Sequence, residues 1–218
     1  MTDGRIRNLM KRRTAWIVLL GATMLLGVWS RLAPEVAEAA FPDASDAGKS
    51  ARIDRDAAAS RAAFLDAYKV LMHPRCMNCH PAGDAPLQGD DSHVHGQNVQ
   101  RGPDGKGKYA LKCANCHQLA NLPGRNMPPG NPNWHLPPPD MKLVFQGKSP
   151  RELARQLKDP NQNGHKTLAE ILHHVTEDKL VLAGWDPGDG RTRPPLTHDE
   201  FVRKMREWIE KGALEPVE

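Results

Sequence analysis

"RCMNCHPAGD", residues 75–84, sets two cysteines three positions apart with a histidine directly after the second. "KCANCHQLAN", residues 112–121, repeats the frame, and the two copies use all four cysteines of the chain. On one turn of helix, Cys76 and Cys79 face the same side and His80 follows at i+4. That arrangement lets both thiols bond the edge of one planar macrocycle while the imidazole reaches its iron from below, so C-x-x-C-H reads as a covalent haem attachment. Cys113, Cys116 and His117 repeat it. The expectation is two covalently attached haem c groups, with His80 and His117 as proximal iron ligands.

Two rival uses of four cysteines fit less well. A zinc site built from both pairs would have to span the 33 residues between Cys79 and Cys113, and zinc gives no reason for a histidine after each pair. Redox or structural disulfides are chemically allowed after export, yet a dithiol site leaves the same repeated histidine unexplained.

Composition points the same way. Hydrophobic residues make up 39% and aromatics 5%, so side chains alone would build a thin core, and an apolar group absent from the sequence would complete it. The formal charge is +4, but the first 39 residues hold six Lys/Arg against three Asp/Glu; without them it falls by three to +1. Charge therefore does not suggest a nucleic-acid partner.

Residues 1–39 read as an export segment. Arg5, Arg7, Lys11, Arg12 and Arg13 precede an apolar run from Thr14 to Trp29, and "AEA" at Ala37–Ala39 offers small residues for cleavage. The 16-residue run is shorter than the ~20 of a usual spanning helix; an uncleaved membrane anchor through residues 14–30, with its basic end in the cytoplasm, is the alternative. Both readings put the bulk of the chain in the periplasm. Residues 40–58, rich in Ala, Asp and Ser, are expected to form a flexible tether, and 59–218 the haem-binding domain.

That domain is expected to be all-α. Phe64, Leu65, Tyr68, Leu71 and Met72 fall at helical spacing before Pro74 stops the run and delivers the chain into the first motif. Ser149, Pro150 and Glu152 announce a helix ending before Pro160, and another is expected over about 167–175. A last helix opens at Thr197 with Glu200 three residues on, buries Phe201, Met205, Trp208 and Ile209, and stops at Gly212. Between His80 and Lys148 no periodic segment stands out. "NMPPGNPNWHLPPPD", residues 126–140, is dense in proline and should wrap over something as a stiff extended loop.

The sixth iron position decides whether each haem carries electrons or binds a small molecule. In a bis-histidine scheme His95 (or His93) lies 15 (or 13) residues after His80, and His135 lies 18 after His117. In a methionine scheme Met127 and Met141 sit in the proline-rich loop, where a thioether would raise the potential. His95 and His135 are the preferred distal candidates, Met127 and Met141 the alternatives. His173 and His174 are further candidates, though a helix C-terminus explains both without ligation.

The helix leading into "CMNCH" and the closing "WIEKGA" resemble class I cytochrome c domains, and residues 70–212 resemble the exported dihaem c-type cytochromes. "HPRCMNCHPAGD", "CANCHQ" and "NWHLPPPDM" are similar to small dihaem cytochrome subunits associated with molybdenum hydroxylases of the isoquinoline oxidoreductase type. The resemblance implies a non-enzymatic electron-transfer subunit, taking electrons from a partner oxidoreductase and passing them to a downstream acceptor. One departure stands out: the motifs start 37 residues apart, too close for two complete haem-enclosing domains, so both haems are expected to share one.

Alternatives to the relay are a small dihaem peroxidase with one open haem, although dihaem peroxidases are longer and space their motifs more widely, and a haem sensor or scaffold subunit. Arg101, Lys106, Lys108 and Lys112 form a basic stretch between the motifs, read as a solvated loop rather than a steering patch for an acidic partner. "GPDGKGK", residues 102–108, lacks the spacing and the Ser/Thr of a phosphate loop.

Overall fold

The structure, a computed structural model, describes residues 44–217. The export segment and residues 40–43 of the expected tether lie outside the described residues. Among the described residues no helix is long and apolar enough to cross a membrane.

Helix α1, Ala44–Leu71, is longer than the apolar spacing suggests. The stretch expected as a tether is helical from Ala44 onward because it is rich in alanine, the strongest helix former. Residues 48–55 are exposed; only from Ser60 does a buried stripe begin, through Ala63, Phe64, Ala67, Val70 and Leu71. Leu65, expected on that stripe, faces solvent at 39% exposure.

Helix α6, His198–Glu210, lies along this stripe. Thr197 and Glu200 form a reciprocal capping box at its start. At its end Gly212, with φ 102°, takes the left-handed position, and Ala213 N–H returns to the Trp208 carbonyl at 2.8 Å. Phe201, Met205 and Trp208 are buried, and the Trp208 ring meets Phe64 at 4.8 Å between centroids. Ser60, fully buried, closes the joint by donating to the Trp208 carbonyl and accepting from Leu214 N–H, each at 3.0 Å.

Helices α3, Pro150–Lys158, and α4, Leu168–Glu177, complete the core with Leu153, Ala154, Leu157, Ile171 and Val175. Each starts with a capping box, from Ser149 and Thr167 respectively. Two one-turn helices flank these elements: α2, Pro74–Met77, and α5, Lys179–Leu182. The described chain is thus mostly helical, as expected.

Residues 80–148 run outside these helices as loops stitched by backbone hydrogen bonds. Four two-residue strands form two antiparallel ladders: β1 (Leu87–Gln88) with β2 (His93–Val94), and β3 (Gly107–Lys108) with β4 (Leu111–Lys112). The proline-rich stretch lies on these loops, with Leu136 N–H donating to the Gly105 carbonyl at 2.9 Å. Gly105 permits that approach, since a Cβ there would overlap the Leu136 carbonyl.

Candidate functional site

The turn between α1 and the first motif is set by His73 and Pro74. His73 Nδ1 accepts from Arg75 N–H at 3.3 Å, and Pro74 occupies the first helical position of α2. Cys79 N–H returns to the Cys76 carbonyl at 3.2 Å and His80 N–H to that of Met77 at 2.9 Å. The helical turn therefore gathers Cys76, Cys79 and His80 as the sequence requires.

All three side chains line a cavity of about 480 Å³, within the ~300–1,000 Å³ typical of cofactor sites. Its apolar wall is drawn from the helical core: Leu71 of α1, Leu157 of α3, Ile171 and Val175 of α4, and Phe201 and Met205 of α6.

His80 is held on two sides. Its Nδ1 lies 2.8 Å from the Leu143 carbonyl, which can only accept, so Nδ1 carries the proton and Nε2 keeps its lone pair. Phe145 stacks on its face at 4.0 Å and 13°. Burial pushes the His80 pKa down to about 4, against the Leu143 hydrogen bond, so the ring is neutral at physiological pH. Burial likewise pushes the Cys76 thiol up to about 12 and that of Cys79 up to about 11.

The second motif repeats the arrangement with different parts. Strand β4 leads directly into a 3-10 turn at Cys113–Asn115, and His117 N–H bonds the Cys113 carbonyl at 2.9 Å. His117 Nδ1 lies 2.7 Å from the Pro129 carbonyl, and Trp134 stacks on the ring at 4.1 Å and 9°. Burial lowers its pKa as well. The Pro129 carbonyl is positioned by a close backbone approach: Gly130 N–H donates to Asn121 Oδ1 at 2.8 Å, and a Cβ at Gly130 would overlap the backbone of Ala120. Cys113 is buried and Cys116 exposed. Around them in sequence, Tyr109, Leu111, Leu119 and Leu122 leave apolar side chains in solvent, surface a planar apolar group could cover.

The distal candidates are distributed across the two motifs against chain order. His135 lines the first cavity together with His174 and Met141. His95 instead lies beside His117, with ring centroids 6.3 Å apart and planes at 57°. His174 has an aspartate near its Nδ1, Asp178 at 3.5 Å. His93 is drawn off to Asp91 at 2.7 Å and stays exposed, while Met127 is 38% exposed.

Arg101 is not part of a solvated basic loop: it is 1% exposed. Its guanidinium donates to the Pro137 carbonyl, reaches the Gly83 carbonyl at 3.1 Å, and lies 3.6 Å from the Asp84 carboxylate. It thereby laces the loop after the first motif to the proline-rich stretch. Lys106, Lys108 and Lys112 stay on the surface.

Several observations bear on whether these residues fit haem. The Nε atoms of Arg75 and Arg101 are buried without a hydrogen-bond partner. Arg75 also lines the first cavity, so one buried guanidinium nitrogen without a partner stands at its wall. Among the described residues no three His, Cys, Asp or Glu side chains are grouped to hold a metal ion, and Cys113 and Cys116 do not line the cavity of Cys76 and Cys79. The four thiols are also unpaired with one another.

Four supporting groups were not legible in the sequence: the carbonyls of Leu143 and Pro129 and the rings of Phe145 and Trp134. Only Trp134 carried a signal, as an aromatic embedded among prolines. The chain matches no protein-family profile, no curated protein and no solved structure.

Proposed function

We propose that this chain is a dihaem c-type cytochrome that relays single electrons between an oxidoreductase and a downstream acceptor, without a substrate reaction of its own. The observation that carries the reading is the shared preparation of His80 and His117. Each has Nδ1 committed to a backbone carbonyl, one face against an aromatic ring, and Nε2 left for a metal. Two cysteines stand just ahead of each.

In this reading Cys76 and Cys79 anchor one haem and Cys113 and Cys116 the other, with His80 and His117 as proximal ligands. Bound haem supplies an iron that gains and loses one electron at a time. The chain's own work is to hold and insulate. The Leu143 and Pro129 carbonyls fix the imidazole tautomers and make both rings better donors, and Phe145 and Trp134 keep them from rotating. The helical wall excludes water from the first site, lowering the local dielectric that tunes potential.

Imidazoles beside both sites favour filled sixth positions over the open iron of a peroxidase. Export to the periplasm and a molybdenum hydroxylase as donor follow from the basic-apolar N-terminus and from the resemblance of "HPRCMNCHPAGD" and "NWHLPPPDM". Potentiometric titration of the purified holoprotein tests the function: two one-electron steps and no rapid cyanide binding are expected. A high-spin haem that binds cyanide rapidly and turns over peroxide would overturn the relay in favour of the enzyme.

A further inference from the structure

We infer that His95 is the second axial ligand of the haem held by Cys113, Cys116 and His117, so that a hairpin anchored to the first motif closes the iron of the second. This rests on the dihaem reading and adds to it which histidine serves which iron. In chain order His95 would belong to His80, 15 residues before it; the geometry crosses the pairs.

Separation is the first support. A metal–imidazole bond is about 2 Å long and the ligating nitrogen lies about 1 Å from its ring centre, so two imidazoles on opposite sides of one ion stand about 6 Å apart. His95 and His117 stand 6.3 Å apart. The hydrogen bonds supply the second support. His95 Nδ1 lies 2.9 Å from the Gly96 carbonyl and His117 Nδ1 2.7 Å from that of Pro129. Carbonyls accept only, so both protons sit on Nδ1 and both lone pairs on Nε2, the ligating tautomer.

The segment carrying His95 is built to place it. The β1–β2 ladder sets its register, and His95 N–H donates to the Pro86 carbonyl at 2.9 Å. Gln88 Oε1 accepts from Gly96 N–H at 3.0 Å, and Gln97 and Asn98 follow with φ of 60° and 54°, a left-handed pair that turns the chain away after His95 and is uncommon at a glutamine. The hairpin is bolted to the first motif's own turn. Arg75, its side chain 8% exposed, reaches the Gly89 carbonyl at 3.2 Å and Asp90 at 2.6 Å. Asn78 Nδ2 donates to the same Gly89 carbonyl at 3.0 Å, and Leu87 N–H to that of Asn78. Arg75 and Asn78, which flank Cys76 and Met77 in the first motif, therefore position a ligand for the other site, while the first cavity draws on His135, His174 and Met141.

The test counts low-spin haems by low-temperature electron paramagnetic resonance on the full-length holoprotein, with mass spectrometry reporting covalent haem in every sample. H95A and H117A should each convert one of the two haems to high spin. The double variant H95A/H117A should still leave one haem fully low-spin, because both histidines serve one iron; two affected haems would overturn the assignment. Should the second motif fail to retain haem without His117, the haem that remains must stay low-spin in H95A/H117A, and its conversion would equally overturn the assignment. H95M, which keeps a ligating side chain, should add a near-infrared sulfur-to-iron band absent from the parent; near-infrared and resonance spectra identical to the parent's would refute the inference. Absence of covalent haem from the parent protein would instead remove the dihaem reading itself.

Discussion

Replacing Arg101 with methionine separates a structural arginine from a surface charge. The guanidinium is 1% exposed and bonds the carbonyls of Gly83 and Pro137, with Asp84 beside it. Hydrogen bonds from a charged donor contribute about 1.5–3 kcal/mol each, so losing two costs about 3–6 kcal/mol. Part of that returns. Methionine keeps the stem's burial, and the buried, unpartnered Nε no longer has to be desolvated. Asp84 keeps Lys142 at 3.0 Å. The expected net loss for R101M is about 3 kcal/mol; with a urea m-value of about 2 kcal/mol/M, that lowers the midpoint by about 1.5 M. Urea denaturation of the holoprotein followed by far-ultraviolet circular dichroism reads the shift directly. A midpoint within about 0.3 M of the parent's at unchanged m would refute the lacing role and return Arg101 to the solvated loop.

Other substitutions probe the site and its frame. F145L and W134L each remove one stacked ring, so F145L should alter the magnetic spectrum of the first haem alone and W134L that of the second; a swap, or no change in either, contradicts the proposed supports. T197A breaks the capping box of α6 and should cost about 1 kcal/mol, read calorimetrically as a fall in melting temperature of about 2–4 °C; an unchanged transition would show the cap to be idle. Glu215 sits among Arg151, Arg155 and Lys158, and the hydrogen bonds of Arg155 and Lys158 hold its pKa down at about 2, from 4.5. A depressed carboxylate stabilises above its unfolded pKa and loses that stability as pH falls through the folded one. E215Q should therefore be less stable by about 1 kcal/mol near neutrality, after solvent screening, and the gap should close between about pH 4.5 and pH 2. A gap that persists at pH 2 would point to packing instead of charge.

The helices were legible where local chemistry was redundant. Ser149 with Glu152 and Thr197 with Glu200 mark starts that the capping boxes realise, and Phe201, Met205 and Trp208 share a face because spacing alone sets it. The turns at Cys76–His80 and Cys113–His117 were legible because a three-residue spacing fixes which side chains share a face. What escaped is long-range. Residues 44–58 carry no apolar stripe, so their helix rests on alanine propensity, which in the sequence resembles a tether. The ladders around Leu87 and Gly107 are two residues each, too short to show alternation. Arg101 looks like its lysine neighbours until the chain folds Gly83 and Pro137 around it. The crossing of His95 and His135 depends on backbone contacts such as Leu136 N–H to the Gly105 carbonyl, which no local pattern encodes.

The most direct measurement is the intact mass of the exported polypeptide after denaturation in acid acetone, for the parent and for the pairs C76A/C79A and C113A/C116A. Two covalently retained haems in the parent, and one in each double variant, are expected. A parent mass equal to the bare polypeptide, with any colour left in the solvent, would contradict the account at its root.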